Sequence, residues 1–181
     1  MFDKEALKPG LILGLTALVL ALLLAAVNLA TRDTIATRQQ EDIKAALNKV
    51  VENAEFTEIS SENDVIVYEG TKDGNFVGYC VQLSSYGYSS TPITMIVGVD
   101  SEYKIIGISV TTNEETPGLG AKVGEDSFLD MLKGKTGKIK VTKDGGEIDV
   151  ISGATKSSRA ITDGATRAIE AVKKIGGGSD E

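Results

Sequence analysis

"ITMIVGVDSEYKIIGISV", residues 93–110, has the pattern of two strands joined by a short turn. The runs 93–99 and 104–110 are rich in β-branched residues, and the four residues "DSEY" between them are typical of a hairpin. Similar runs precede the pair at 65–70 ("VIVYEG") and 75–83 ("NFVGYCVQL"). These patterns predict a sheet of antiparallel strands in the middle of the chain.

Shorter signals lie on both sides of this group of strands. We predict a helix over 33–55, a short helix over 126–134, and strands at "KIKV" (138–141) and "EIDVI" (147–151) around a "TKDGG" turn. The last helix follows "ISGA", and its apolar residues recur at helical spacing. The apolar stripe predicted for the first helix contains Ile35, Ile43, Ala46, Leu47, Val50 and Val51, and that of the last contains Ile161, Ala165, Ala168, Ile169, Val172 and Ile175. The predicted fold class is therefore α+β, an antiparallel sheet flanked by helices.

The N-terminal part of the chain contains an uncharged apolar run, "LILGLTALVLALLLAAVNLA", at residues 11–30. A helix of this length spans about 30 Å, the thickness of the hydrocarbon core of a bilayer. A cleaved signal peptide is the alternative, but its apolar region is usually shorter, and we favour an uncleaved anchor. Lysines before the run (Lys4, Lys8) are balanced by arginines after it (Arg32, Arg38), so charge does not predict the orientation.

These signals divide the chain into five predicted segments. They are a short N-terminal tail (1–10), a transmembrane helix (11–30), an amphipathic stalk helix (31–58), a domain (59–175) and a flexible tail (176–181).

Composition excludes several classes of function. The net charge of −7 argues against a nucleic-acid partner, because binding to phosphate backbones depends on clustered basic residues. The chain has no histidine, which excludes the Ser-His-Asp and Cys-His nucleophile systems and the common zinc sites. Its one cysteine, Cys80, lies in a strand pattern and is predicted to be a small core residue. We predict neither a metal site nor catalytic residues.

Two loops carry the remaining chemical signals. In "TNEETPGLGAKV" (112–123), Pro117-Gly118 predicts a turn, and Gly120 leaves the backbone open to close approach. In "ISGATKSSRA" (151–160), Thr155 falls where the last helix begins. Its hydroxyl could simply cap the helix, or the helix start could bind a phosphate group with the help of neighbouring hydroxyl and basic side chains. The residues alone leave both interpretations open.

The two loops together resemble a known family. "SGATKSS" (152–158) resembles the flavinylation motif of FMN-binding domains, Ser/Asp-Gly-Ala/Ser-Thr-x-Ser/Thr, and "ETPGLG" (115–120) resembles the second hallmark of that domain. The chain departs from the family pattern at 112–114, where a histidine is common, and at "SSYGYSSTP" (84–92), where a glycine-rich stretch is common. With the single anchor, this combination resembles the G subunit of Rnf-type ion-translocating ferredoxin:NAD oxidoreductases. The related C subunit of sodium-pumping NADH:quinone reductases is similar but typically longer.

The resemblance implies a cofactor and the residues that bind it. Thr155 would carry FMN covalently through a phosphoester bond, and contacts by Tyr86 or Tyr88 are equally compatible with ordinary surface aromatics. The other implied cofactor-binding residues are Ser152, Gly153, Ala154, Lys156, Ser157, Ser158, Glu115, Thr116, Pro117, Gly118, Leu119 and Gly120.

The resemblance also implies a function and partners. The chain would be an electron-transfer subunit of an inner-membrane complex, single-pass, with its FMN domain outside the cytoplasm. Its partners would be the other redox and membrane subunits, the lipid, and a flavin transferase that attaches the FMN. Alternatives are a component like the C subunit of the quinone reductases, a stand-alone anchored flavoprotein, or an anchored binding module without redox chemistry. The sequence does not indicate the coupling ion.

Overall fold

The computed structural model of the chain describes residues 4–177, without the side chains of residues 4–8, 33, 34 and 36. The chain divides into two compact units between Glu41 and Asp42. Most of the predicted C-terminal tail and the first three residues of the predicted N-terminal tail lie outside the described residues.

A single long helix, α1 (Lys4–Val50), contains the apolar run. The large apolar side chains of this run, from Leu11 to Leu29, are exposed. The helix is therefore long and apolar enough to cross a membrane. Its first described residue is Lys4, so most of the predicted N-terminal tail is helical.

The C-terminal unit is built on a five-stranded antiparallel meander. The strands follow one another in chain order across the sheet, and each pairs with the next. Their bounds are β1 (Glu55–Glu62), β2 (Val65–Lys72), β3 (Asn75–Ser85), β4 (Ile93–Val99) and β5 (Ile105–Thr112). The predicted hairpin is β4–β5, in which Val97 faces Ile108 and Gly98 faces Gly107. The predicted fold class is confirmed.

One face of the sheet is covered by the last helix, α3 (Thr155–Ile175). Its predicted stripe is buried against inward-facing residues of β3 and β4, such as Leu83 and Met95, except that Ile175 at the helix end is 40% exposed. This burial fixes the start of α3 at one edge of the core, and the loop after β5 lies against that start.

The opposite face of the sheet is covered by the end of α1. Ala46, Leu47 and Val50 are buried there with Cys80 and Ile96. The helix ends at Val50 rather than at residue 55, and the chain turns through Asn53, whose φ of 57° is left-handed. Ile35, at the other end of the predicted stripe, is 52% exposed.

The segment between β5 and α3 is mostly irregular. A 3₁₀ turn (Gly120–Gly124) leads into α2 (Asp126–Leu129). The single short helix predicted over 126–134 is divided, because α2 is followed directly by a second 3₁₀ turn (Asp130–Leu132). The strands predicted at 138–141 and 147–151 are wrong. Only one parallel bridge joins Val141 and Ile148, and a 3₁₀ turn, Thr142–Asp144, lies between them.

Cys80 is expected to be inert towards thiol reagents in the folded chain. Its side chain is fully buried, which confirms it as a core residue, and burial raises the pKa of its thiol to about 12. Because the thiolate is the reactive form, a maleimide reagent at pH 7.5 should label the native chain only slowly. Mass spectrometry before and after addition of denaturant measures this. Fast labelling of the native chain would contradict the packing of the end of α1 on the sheet.

Candidate functional site

A cavity of about 630 Å³ lies where the loop after β5 meets the start of α3. The motifs that are separated by more than thirty residues in sequence therefore form one site. It is lined by Tyr88, Glu115, Thr116, Leu119, Gly120, Lys143, Gly153, Ala154, Thr155, Lys156 and Ser157.

Thr155 is the first residue of α3, not its cap. The cap position is Ala154, with φ −125° and ψ 39°, and none of the described side chains caps the helix. The capping role considered for the Thr155 hydroxyl is therefore wrong. Instead, Thr155 Oγ1 accepts a hydrogen bond of 3.0 Å from Lys143 Nζ. The N–H groups of a first helical turn have no acceptor within the helix, so this end of α3 is suited to an anionic group.

Two glycines keep the cavity open. Gly153 has a φ of +78°, a conformation that side chains disfavour, and a Cβ there would lie 3.2 Å from Leu119 Cδ2. At Gly120, a Cβ would lie 2.7 Å from Glu115 Oε2 and 2.8 Å from Ser157 Oγ. A larger residue at either position would push the two loops apart or fill the space between them.

Glu115 joins the three segments around the cavity. Its side chain is 4% exposed, and Oε1 accepts hydrogen bonds from the backbone N–H groups of Tyr88 (2.9 Å) and Ser89 (3.0 Å). Oε2 accepts a hydrogen bond of 2.8 Å from Ser157 Oγ. The carboxylate thus ties the loop between β3 and β4 and the loop after β5 to the first turn of α3.

The loop after β5 is also closed internally. The turn at Pro117-Gly118 has the predicted geometry: Gly118 has a φ of 77°, and the N–H of Leu119 donates to the carbonyl of Thr116. Asn113 donates from Nδ2 to the carbonyl of Ala121 at 2.9 Å. These bonds stabilise the shape of the loop.

An ion pair fastens the turn that contains Lys143 to α3. Arg159 donates two hydrogen bonds to the carboxylate of Asp144, one from Nε and one from Nη2, each of 2.6 Å. This bidentate contact holds the pKa of Asp144 below its usual value and raises the pKa of Arg159. The turn therefore has a fixed position beside the helix start.

Acidification is expected to weaken this attachment. A carboxyl group whose pKa is lowered in the folded state stabilises the fold above its unfolded pKa, about 3.9, and this contribution is lost as the pH falls through the folded value. We expect Asp144→Asn to be less stable than wild type at pH 7, with the difference beginning to shrink below about pH 4 and disappearing as the pH falls through the lowered pKa of Asp144. Urea denaturation at several pH values measures this, with exposed Asp149→Asn as the control. A difference that does not change with pH would contradict the ion pair.

Most of the predicted site residues line the cavity, and the others lie beside it. Ser158 is fully buried and bonds to the N–H of Ile151 and the carbonyl of Ala154, so it supports the turn. Ser152, Pro117 and Gly118 do not line the cavity either. Sequence reasoning missed Lys143, which belongs to neither motif; its only signal was a lysine beside a predicted Asp-Gly-Gly turn.

Comparisons with known proteins agree with the two motifs. Residues 87–170 match the FMN-binding domain family, and residues 1–50 match the family described as the RnfG N-terminal region. The G subunit of the ion-translocating oxidoreductase complex of Cereibacter sphaeroides is 35% identical, over 88% of this chain and 81% of the relative. The chain belongs to the family of Rnf-type G subunits. It therefore has the FMN-binding domain of the G subunits of ion-translocating oxidoreductase complexes.

Two other relatives belong to complexes that are named for translocating different ions. The G subunit of the proton-translocating ferredoxin:NAD(+) oxidoreductase complex of Clostridium ljungdahlii is 31% identical, over 92% of this chain and 91% of the relative. Its Na(+)-translocating counterpart from Acetobacterium woodii is also 31% identical, over 95% of this chain and 94% of the relative.

A solved structure has the same fold. The C subunit of the Na(+)-translocating NADH-quinone reductase from Parabacteroides distasonis matches with a TM-score of 0.54 at 21% identity, over 75% of this chain and 82% of that one.

The residues around the cavity fit an FMN group. The volume lies within the range of about 300–1,000 Å³ of small-molecule pockets. Lys143, the Thr155 hydroxyl and the uncapped first turn of α3 are suited to a phosphate, and the apolar surfaces of Leu119 and Tyr88, 46% and 75% exposed, are available to an aromatic ring.

Proposed function

We infer that the chain is an electron-transfer subunit in which Thr155 carries FMN through a phosphoester bond. The observation that supports this most directly is the position of the Thr155 hydroxyl, which lies in the cavity at the uncapped start of α3. Bound FMN would supply the redox chemistry, and no residue of the chain is assigned a catalytic role. Thr155 is an attachment point.

The remaining motif residues divide into two groups under this proposal. Those that line the cavity would contact the cofactor: Gly153, Ala154, Lys156, Ser157, Glu115, Thr116, Leu119 and Gly120. Those that shape the two turns would act through them: Ser152, Ser158, Pro117 and Gly118. Tyr88 is added to the first group, because Lys156 Nζ lies 5.8 Å from its ring centroid and both side chains face the cavity.

Covalent attachment has a physical purpose outside the cytoplasm. A non-covalent cofactor is retained only while its free concentration exceeds its dissociation constant. We propose that domain residues 59–175 lie on the extracytoplasmic side, where free FMN is scarce, with residues 11–30 as the membrane anchor. A covalent bond to the chain keeps FMN at a high local concentration at its site, whatever the concentration of free FMN in solution. Linkage through the phosphate leaves the flavin ring itself unmodified.

The partners follow from the family. Relatives are named as subunits of ion-translocating oxidoreductase complexes, and we propose that this chain assembles with the corresponding redox and membrane subunits in the lipid bilayer. A separate flavin transferase would attach the cofactor, because the chain has no histidine to activate the Thr155 hydroxyl.

A mass spectrum of one peptide tests the proposal. Cleavage after lysine releases residues 144–156, "DGGEIDVISGATK", in which Ser152 and Thr155 are the only hydroxyl side chains. Protein from the native host should give this peptide with the added mass of FMN less water, and fragmentation should place it on Thr155. An unmodified peptide, or a modification on Ser152, would overturn the assignment.

A further inference from the structure

We propose that Lys143 is the residue that binds the phosphate oxygens of the flavin carried on Thr155. The inference rests on the proposed attachment of FMN and assigns a positioning role to a residue outside both motifs. It concerns a non-covalent contact and leaves the attachment chemistry unchanged.

The first argument is distance. Lys143 Nζ lies 3.0 Å from Thr155 Oγ1, the atom that would be bonded to phosphorus. An ammonium group on a flexible four-carbon chain that reaches Oγ1 also reaches the other oxygens on the same phosphorus atom. An ammonium donor and a phosphate acceptor form a charge-assisted hydrogen bond, which is stronger than the present bond to a neutral hydroxyl.

The second argument is charge. In the described part of the chain, no carboxylate forms a salt bridge with Lys143, although Lys49, Lys104, Lys133 and Lys135 each have one. The adjacent carboxylate, Asp144, is engaged on both oxygens by Arg159. Lys143 thus presents an unpaired positive charge to the cavity in a chain whose net charge is −7. The phosphoester on Thr155 would supply a negatively charged partner for Lys143.

The third argument is preorganisation. The turn that contains Lys143 is held by buried Val141 and Ile148 on either side and by the N–H of Thr142, which donates to the carbonyl of Ile148 at 2.8 Å. The pair between Asp144 and Arg159 fixes the turn to the second turn of α3. The backbone of Lys143 is therefore already in position, and binding a phosphate requires ordering of its side chain alone.

Lys156, the other lysine of the cavity, is placed differently. Its ammonium lies over the ring of Tyr88 at 5.8 Å, and it makes no hydrogen bond with Thr155 among the described residues. The two lysines therefore have separate positions, and only Lys143 contacts the attachment atom.

A comparison of two free flavins tests this role. The full-length chain, purified in detergent from a host without flavin transferase activity, is titrated with FMN and with riboflavin, which lacks the phosphate, and flavin fluorescence is followed. We expect wild type to bind FMN about tenfold more tightly than riboflavin. Lys143→Met should weaken FMN binding about tenfold and leave riboflavin binding unchanged, and Lys143→Arg should keep most of the preference.

The control removes the same charge nearby. Lys138 is exposed on the same segment, and Lys138→Met should keep the preference for FMN. Melting temperatures equal to wild type show that the variants are folded. A wild type without preference for FMN, or an undiminished preference in Lys143→Met, overturns the role of Lys143. Covalent FMN on protein from the native host is scored separately: its absence, with the preference intact, overturns the attachment to Thr155 and leaves the phosphate contact supported.

Discussion

Thr155→Val is expected to abolish covalent flavin while leaving the chain folded and membrane-bound. Valine keeps the shape of threonine but has no oxygen that can bond to phosphorus. The structural cost is small, because Thr155 is only half-buried, caps nothing, and loses a single hydrogen bond to an exposed lysine. We expect the free energy of unfolding to fall by about 1 kcal/mol or less. Ultraviolet fluorescence of the denatured chain on a gel, after expression with a flavin transferase, measures the attached flavin.

Two further variants show whether the hydroxyl of Thr155 itself is required. Thr155→Ser restores an oxygen at the same atom position and should restore part of the flavin band. Thr142→Val removes a hydroxyl from an exposed residue that does not line the cavity and should retain the band. A fluorescent band of unchanged strength in Thr155→Val would show that FMN is attached elsewhere or held without a covalent bond.

The parts of the fold that the sequence predicted are those with strong apolar patterns. The β4–β5 hairpin and the buried stripe of α3 depend on side chains that are almost fully buried, so periodicity alone identifies them. β1 was missed because it is an edge strand with six of its eight residues exposed, and its sequence, "EFTEISSE", has no apolar face. At 138–151, Val141 and Ile148 are buried as a strand pattern would require, but one bridge is all that joins the segments.

The sequence predicted the residues of the two motifs at the candidate site, but not the contacts between them. Glu115 and Ser157 belong to the two matched loops, but their hydrogen bond requires the tertiary fold that joins residues 42 positions apart. Lys143 reaches Thr155 because Arg159 holds the neighbouring aspartate, and a pattern of residues along the chain contains no signal for that contact. The identity of side chains in a loop is thus readable from sequence, whereas their partners across the cavity are not.

Removing the side chain of Glu115 is expected to be the most destabilising change at the site. Glu115→Ala leaves three donors without their acceptor: the N–H groups of Tyr88 and Ser89 and the hydroxyl of Ser157. A buried donor left unpaired costs about 1–3 kcal/mol, and water can reach part of the loop, so we expect a loss of about 3 kcal/mol in the free energy of unfolding. Because the same bonds hold the cavity together, flavin attachment should fall with stability. Urea denaturation and gel fluorescence measure the two effects on the same preparations.

Glu115→Gln separates the hydrogen bonds from the charge. The amide oxygen of glutamine can accept from both backbone N–H groups, and its NH₂ group can donate to Ser157 Oγ, so all three contacts have a counterpart. We expect a loss of only about 1 kcal/mol. The matched control is Glu114→Ala, which removes a neighbouring carboxylate whose bond to Thr91 Oγ1 is exposed, and it should be close to neutral. If Glu115→Gln were as damaging as Glu115→Ala, the negative charge itself would be needed. If Glu115→Ala resembled Glu114→Ala, the three segments around the cavity would be held together by packing alone.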